Sequence, residues 1–327
     1  MLNSREFVSR DKINAIANAQ RCRKIYLPFF RHMNRRKLIL NLALTTGGLL
    51  TVKVMGQTII NSLTEKTEKM PVLFMGHGSP MNGVENNKYT RGWAKITKDI
   101  PTPKAILIIS AHWETIGSAQ IFVGEKPKMI YDMYGFPKSL YEVKYPVDGN
   151  PKIAREIAER VTPNHIVPTH EWGLDHGAWS VLTKMFPDAS IPCFQLSLNK
   201  TRDLQWHYDL AKELAFLRDR GVLIMGSGNI VHNLRYMSQF NQPATDWALS
   251  FNEFVEKMID EQNHKALIEY EKFGTAASIS VNSAEHYIPL LYTLALQEKN
   301  EAATYFNHDK GSSLMDVSMR CVIIGSH

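Results

Sequence analysis

A chain of 327 residues can form one large domain or two ordinary ones and can bury a core without disulfide or metal support. Hydrophobic residues at 44% and charged residues at 21% exclude collagen-like, intrinsically disordered and multi-span membrane chains. The formal charge of +6 is local: residues 1–70 hold 13 Lys/Arg against 4 Asp/Glu and residues 71–327 hold 25 against 28, which argues against a nucleic-acid surface on the folded part.

In chain order, residues 1–32 are basic and without strong periodicity. Met33-Asn34-Arg35-Arg36-Lys37 then leads into an apolar run from Leu38 to Val52, broken by Asn41 and Thr45-Thr46-Gly47-Gly48. A charged start before an apolar stretch too short for a stable membrane span reads as a targeting signal, and Arg35-Arg36 gives 33–52 a twin-arginine character. A functional signal there implies a periplasmic location, and a merely amphipathic extension implies a cytoplasmic one. No clear small-x-small cleavage site follows Val52. If Met33 is the true start, residues 1–32 are not translated. Residues 53–70 are polar and read as a linker, so 1–70 is expected to be an extension and 71–327 the single catalytic domain.

From Pro71 short apolar runs alternate with helical patterns, the mark of an α/β domain with a mostly parallel central sheet flanked by helices. The runs Pro71–Gly76, Lys104–Ala111, Ile191–Leu198, Gly221–Gly226 and Arg320–Gly325 are expected as strands. The segments 152–161, 175–186, 203–220, 246–262 and 284–297 are expected as helices. Cys22, Cys193 and Cys321 lie far apart with no CxxC, so neither a disulfide framework nor a cysteine zinc knuckle is indicated. Gly78-x-x-x-x-Gly83 and Gly226-Ser227-Gly228 match no phosphate-loop fingerprint, and there is no GxSxG elbow.

Histidine carries the chemistry. In open α/β sheets ligands bind beyond the carboxyl ends of the strands, and three expected strands run into a histidine there: His77, His112 and, through Ser227-Gly228-Asn229-Ile230-Val231, His232. His286 opens the last expected helix, with Ser283 as its cap. Imidazoles converging on one side of a sheet repel as cations, and a metal ion would hold them neutral. His176, after the expected helix cap Asp175, is a further candidate as acid, base or substrate-binding group. His32, His165, His170, His207, His264, His308 and His327 read as incidental residues of the leader, loops or polar helix faces.

Five motifs stand in order along 71–327. They are His77-Gly78-Ser79-Pro80-Met81-Asn82, Ser110-Ala111-His112-Trp113, Trp172-Gly173-Leu174-Asp175-His176-Gly177, Gly228-Asn229-Ile230-Val231-His232-Asn233-Leu234-Arg235 and Glu285-His286-Tyr287-Ile288-Pro289-Leu290. Together they resemble the class III extradiol ring-cleavage dioxygenases, in the branch that acts on DOPA. The resemblance implies one divalent metal per chain, with His77, His112, His232 and His286 on the metal-site positions. It implies Fe(II) for turnover, Zn(II) as a plausible bound ion, and a catechol and O2 as reactants. Related enzymes use a late glutamate as third ligand. Glu285 and His286 stand side by side, and adjacent helical residues diverge by about 100°, so only one of them is expected to ligate.

His232 has two readings, a fourth ligand or the acid/base that takes a phenolic proton, a role shared with His176. The aromatic stretch 129–145 could form a lid or an irregular surface loop, and Lys138 or Lys144 in it could meet an acidic substituent. A zinc hydrolase using the same histidines, or a non-catalytic interaction protein of the same fold, are the alternative functions.

Overall fold

The computed structural model describes residues 67–239, 245–308 and 317–325. The chain divides into two units at Glu65/Lys66. The first unit, including the twin-arginine-like segment 33–52, lies outside the described residues. Among the described residues no helix is long and apolar enough to cross a membrane.

An eight-stranded sheet organises the second unit. Its central four strands are β7 (Cys193–Asn199), β2 (Ala105–Thr115), β8 (Val222–Gly228) and β1 (Val72–Gly76), all mutually parallel. Beyond β7 lie β3 (Ala119–Phe122) and then β5 (Ile166–Thr169); beyond β1 lie β10 (Cys321–Ile324) and then β9 (Ala303–Phe306). The antiparallel contacts are β3 with β7, β10 with β1, and β9 with β10. A separate ladder pairs β4 (Lys128–Met129) with β6 (Gly173–Leu174).

The continuous apolar runs of the central strands follow from burial on both faces. Alternate residues enter opposite cores: Val72, Phe74, Leu107, Ile109 and Ile224 on one face, Leu73, Met75, Ile106, Ile108 and Met225 on the other. Helices Leu204–Glu213, Asp246–Asp260 and Ile288–Leu294 cover the first face; Lys88–Ile96 and His176–Met185 cover the second. Cys193 and Cys321 are free, buried core residues.

Three departures from the sequence reading bear on function. β2 continues past Ala111 to Thr115, so His112 sits inside the strand, where the register with β7 shifts between Ile109 and Glu114; such irregularities re-aim side chains. The last helix begins at Ile288, not 284. Pro289 lacks an N–H and is tolerated only in a first turn, which a start at 284 would violate. His286 therefore precedes the helix, and Ser283 is no cap: its hydroxyl donates to Glu285 Oε1 at 2.8 Å. The segment 203–220 also splits, into the helix Leu204–Glu213 and a 3-10 turn Ala215–Arg220.

His207 is fully buried rather than on a polar helix face. The Asn199 carbonyl can only accept, so His207 Nε2–H donates to it (3.2 Å) and Nδ1 accepts from the Tyr292 hydroxyl (3.1 Å). Burial depresses its pKa to about 4, against the milder upward pull of the Asn199 bond and Asp203. Between the unfolded value near 6.5 and about 4 the unfolded chain binds the extra proton. Stability is therefore lost as pH falls through that window, by about 3 kcal/mol at roughly 1.36 kcal/mol per unit. Urea titrations of chelator-treated protein should show His207→Leu less stable at pH 7.5, with a stability–pH slope shallower by up to one proton between pH 6.5 and 4. An unchanged slope would refute this role.

Candidate active site

Five histidines converge on one cavity of about 690 Å³ beyond the carboxyl ends of β1, β2 and β8. His77, His112 and His286 bring ring nitrogens within 4.8 Å of one another. His77 follows β1 directly, with its N–H on Gly228 O (3.1 Å) and its carbonyl accepting from Asn82 Nδ2 (2.9 Å). His286 is held by its carbonyl, which accepts the Asn229 N–H at 2.9 Å. The Gly226-Ser227-Gly228 stretch makes this approach possible. A Cβ on Gly226 would lie 2.3 Å from Pro289 O, and one on Gly228 2.1 Å from His286 O. These glycines admit the His286 turn against the sheet; they cradle no phosphate.

The outer nitrogens decide what the inner ones offer. The Ser227 hydroxyl spends its proton on Gly177 O at 2.6 Å, so it accepts from His77 Nδ1–H at 3.0 Å. His112 Nδ1 faces Asp132 Oδ2 at 3.3 Å, and His286 Nδ1 donates to Glu285 Oε1 at 3.1 Å. His77 and His286 are thereby held as Nδ1–H tautomers with a lone pair on Nε2, and the Asp132 carboxylate beside His112 Nδ1 favours the same form there. Yet His77 Nε2 and His112 Nε2 stand only 3.2 Å apart. At that distance one Nε2–H can donate to the other nitrogen, or, with both rings as Nδ1–H, two lone pairs face the same point and a cation between them would relieve their repulsion. The separation is close to the roughly 3.3 Å expected between two nitrogens bound at about 2.0–2.1 Å to a tetrahedral ion.

Protonation does not compete for this role near neutrality. Burial first, and the neighbouring histidines second, drive His77 and His286 well below 6.5. Burial and His176 take His112 to about 3 despite the opposing pull of Asp132. The donor set is neutral nitrogen, suited to a borderline divalent ion.

His232 stands differently. Its ring stacks on His286, with centroids 3.5 Å apart and planes 7° apart, and it groups with Glu285 and His286. Its N–H donates to Ser280 O at 2.9 Å, and burial foremost lowers its pKa to about 4. His176 opens the helix His176–Met185, capped as expected by Asp175, whose carboxylate accepts the Ala178 N–H. The His176 ring centre lies 3.8 Å from that of His112.

Two functional neighbours escaped the sequence reading. Ser227 carries little sequence signal because it stands between two glycines. Asp132 accepts from His176 Nδ1 and faces His112 Nδ1 at 3.3 Å; its only sequence signal is its place in an aromatic loop. Met133, Tyr134 and Phe136 from the same 129–145 stretch line the cavity, as do Leu234 and Tyr236. Lys138 and Lys144 do not: Lys138 pairs with Glu142, and Lys144 reaches the Tyr131 hydroxyl at 3.4 Å.

Residues 70–314 match the family described as the catalytic LigB subunit of aromatic ring-opening dioxygenase. The chain belongs to the LigB family. It is 39% identical over 274 residues to the 4,5-DOPA dioxygenase extradiol of Escherichia coli (strain K12), covering 82% of this chain and 99% of that protein. It is 32% identical over 248 residues to the 4,5-DOPA dioxygenase extradiol of Beta vulgaris, covering 74% and 92%. A crystal structure of an uncharacterized Escherichia coli K12 protein superposes with a TM-score of 0.66 at 37% identity, covering 79% of this chain and all of that one. This LigB-family protein is thus an aromatic ring-opening dioxygenase of the extradiol type, a metal-dependent oxidoreductase, and its histidine cluster is the candidate metal centre.

Proposed function

We propose that this dioxygenase opens a catechol ring beside its diol, with DOPA cleaved at the 4,5 position as the leading substrate, to give a ring-opened semialdehyde that incorporates both atoms of O2. The observation that carries the reading is the convergence of the His77 and His112 Nε2 atoms, 3.2 Å apart, with His286 beside them, while His77 Nδ1 is held by Ser227 and His112 Nδ1 faces Asp132. His286 completes the proposed ligand set, with Glu285 as the carboxylate that orients it. A divalent metal held there would supply a Lewis-acidic seat for the diol and, as Fe(II), the redox chemistry that O2 requires; Zn(II) would fit the same nitrogens as a resting ion.

The remaining work falls to the chain. His232, neutral near pH 7, takes a phenolic proton as the diol binds and returns it as the ring opens, a role that His176, lining the same cavity, could share. Met133, Phe136 and Tyr236 give the cavity walls that enclose an aromatic ring and exclude water from it. Holding the ring and the proton acceptor in one geometry removes much of the entropic barrier.

The test is aerobic assay of Fe(II)-reconstituted protein with L-DOPA and with simpler catechols, following oxygen uptake and the yellow product. Stoichiometric uptake with a ring-opened semialdehyde is expected. Full iron occupancy without ring opening of any catechol would reject the proposal.

A further inference from the structure

We propose that Asp132 is a positioning residue that sets His112 and His176 together, tying the cavity-lining 129–145 segment to the metal centre. This inference rests on the reading of His112 as a metal ligand. Oδ2 of Asp132 lies 2.8 Å from His176 Nδ1 and 3.3 Å from His112 Nδ1, while Oδ1 accepts the His176 N–H at 2.9 Å. One carboxylate therefore fixes the Nδ1–H tautomer of His176 and, by facing His112 Nδ1, favours the same tautomer in a second ring whose centre is 3.8 Å away, which turns the Nε2 of each toward the cavity side. It also satisfies the first N–H of the helix His176–Met185, where a negative charge suits the helix dipole. With its side chain 17% exposed, water competes weakly for these bonds.

Asp132 is itself held from the flank of that same helix. The β4–β6 ladder pairs Lys128 with Gly173 and Met129 with Leu174. Ile130 N–H donates to Leu174 O at 2.8 Å, and Trp179 Nε1–H donates to Ile130 O at 3.0 Å. Immediately after Asp132 the chain supplies Met133, Tyr134 and Phe136 to the cavity, turning through Gly135 at φ 78°. The residues that face a bound ring and the carboxylate that aims two histidines are thus four neighbours on one short segment. A shift of that segment is felt at the metal centre through Asp132.

The experiment compares Asp132→Asn, Asp132→Glu and, as a control on the same segment, the 90%-exposed Lys138→Ala. Zn2+ affinity is measured by chelator competition and histidine tautomers by 15N NMR of metal-free protein, with kcat and KM for a catechol measured on Fe(II)-loaded protein. Asp132→Asn should keep its circular dichroism, bind Zn2+ roughly 10- to 100-fold more weakly and show mixed tautomers at His112 and His176. Asp132→Glu, which keeps the charge but displaces it, should fall between Asn and the parent; Lys138→Ala should match the parent. Parent-like Zn2+ affinity and tautomers in Asp132→Asn would overturn the proposal. Should that variant not fold, parent-like Zn2+ affinity in Asp132→Glu would overturn it equally. Neither readout needs catechol turnover, so failure here is distinct from failure of the ring-opening assay.

Discussion

His286→Ala is expected to cost far more metal affinity than Glu285→Gln. The two residues are adjacent, and a late glutamate could ligate in principle. The His286 ring nitrogen, however, lies within 4.8 Å of those of His77 and His112, while Glu285 Oε1 is spent on His286 Nδ1 and the Ser283 hydroxyl. Glu285→Gln removes an outer partner, for which a 10- to 100-fold loss is the usual scale. His286→Ala removes one of three donors and should exceed that, with turnover falling in step with occupancy. Metal analysis after dialysis at fixed free Zn2+ separates the variants, and circular dichroism confirms that both fold. The reverse ranking would make Glu285 the ligand.

His232→Ala should separate chemistry from binding. If His232 is the acid/base, the variant retains its metal and loses about 10²- to 10⁴-fold in kcat, the usual range for removing a positioned proton carrier. Burial lowers the His232 pKa to about 4, with Glu285 opposing and His176 reinforcing. A base with a depressed pKa stays unprotonated as pH falls past 6.5, so the acidic limb of kcat/KM should lie toward pH 4. That limb should vanish from the residual activity of the variant. Complete metal loss in His232→Ala would instead make it a fourth ligand.

Much of this site is legible in the residues. The apolar runs before His77, His112 and His232 require buried parallel strands, and ligand sites lie beyond the carboxyl ends of such strands. Strand direction is not so encoded: Cys321–Ile324 reads like its neighbours yet runs antiparallel to β1. The four-residue outer strands β3 and β5, of which β5 is the edge, are too short to give a period, and the two-residue β4–β6 ladder is set by tertiary contact alone. Pro289 held the information that His286 precedes a helix, but apolar periodicity upstream of it obscured the boundary. Asp132 was least visible, because its meaning depends on partners 20 and 44 residues away in sequence. The polar neighbours of His207 mark its helix as a solvent face, whereas Asn199 and Tyr292 satisfy it inside.

The glycines of β8 carry one last implication. Because Gly226 and Gly228 let the Pro289 and His286 carbonyls rest on the strand itself, the turn bearing His286 has no side-chain cushion between it and the sheet. An ion shared by His77, His112 and His286 would therefore act as a cross-link over a span of 210 residues, joining β1 and β2 to the start of the last helix. By mass action such a cross-link adds about 4 kcal/mol when free metal stands a thousandfold above its dissociation constant. Heat resistance of the whole sheet would then be set by the supply of one ion, and metal starvation would be felt as misfolding as well as lost turnover.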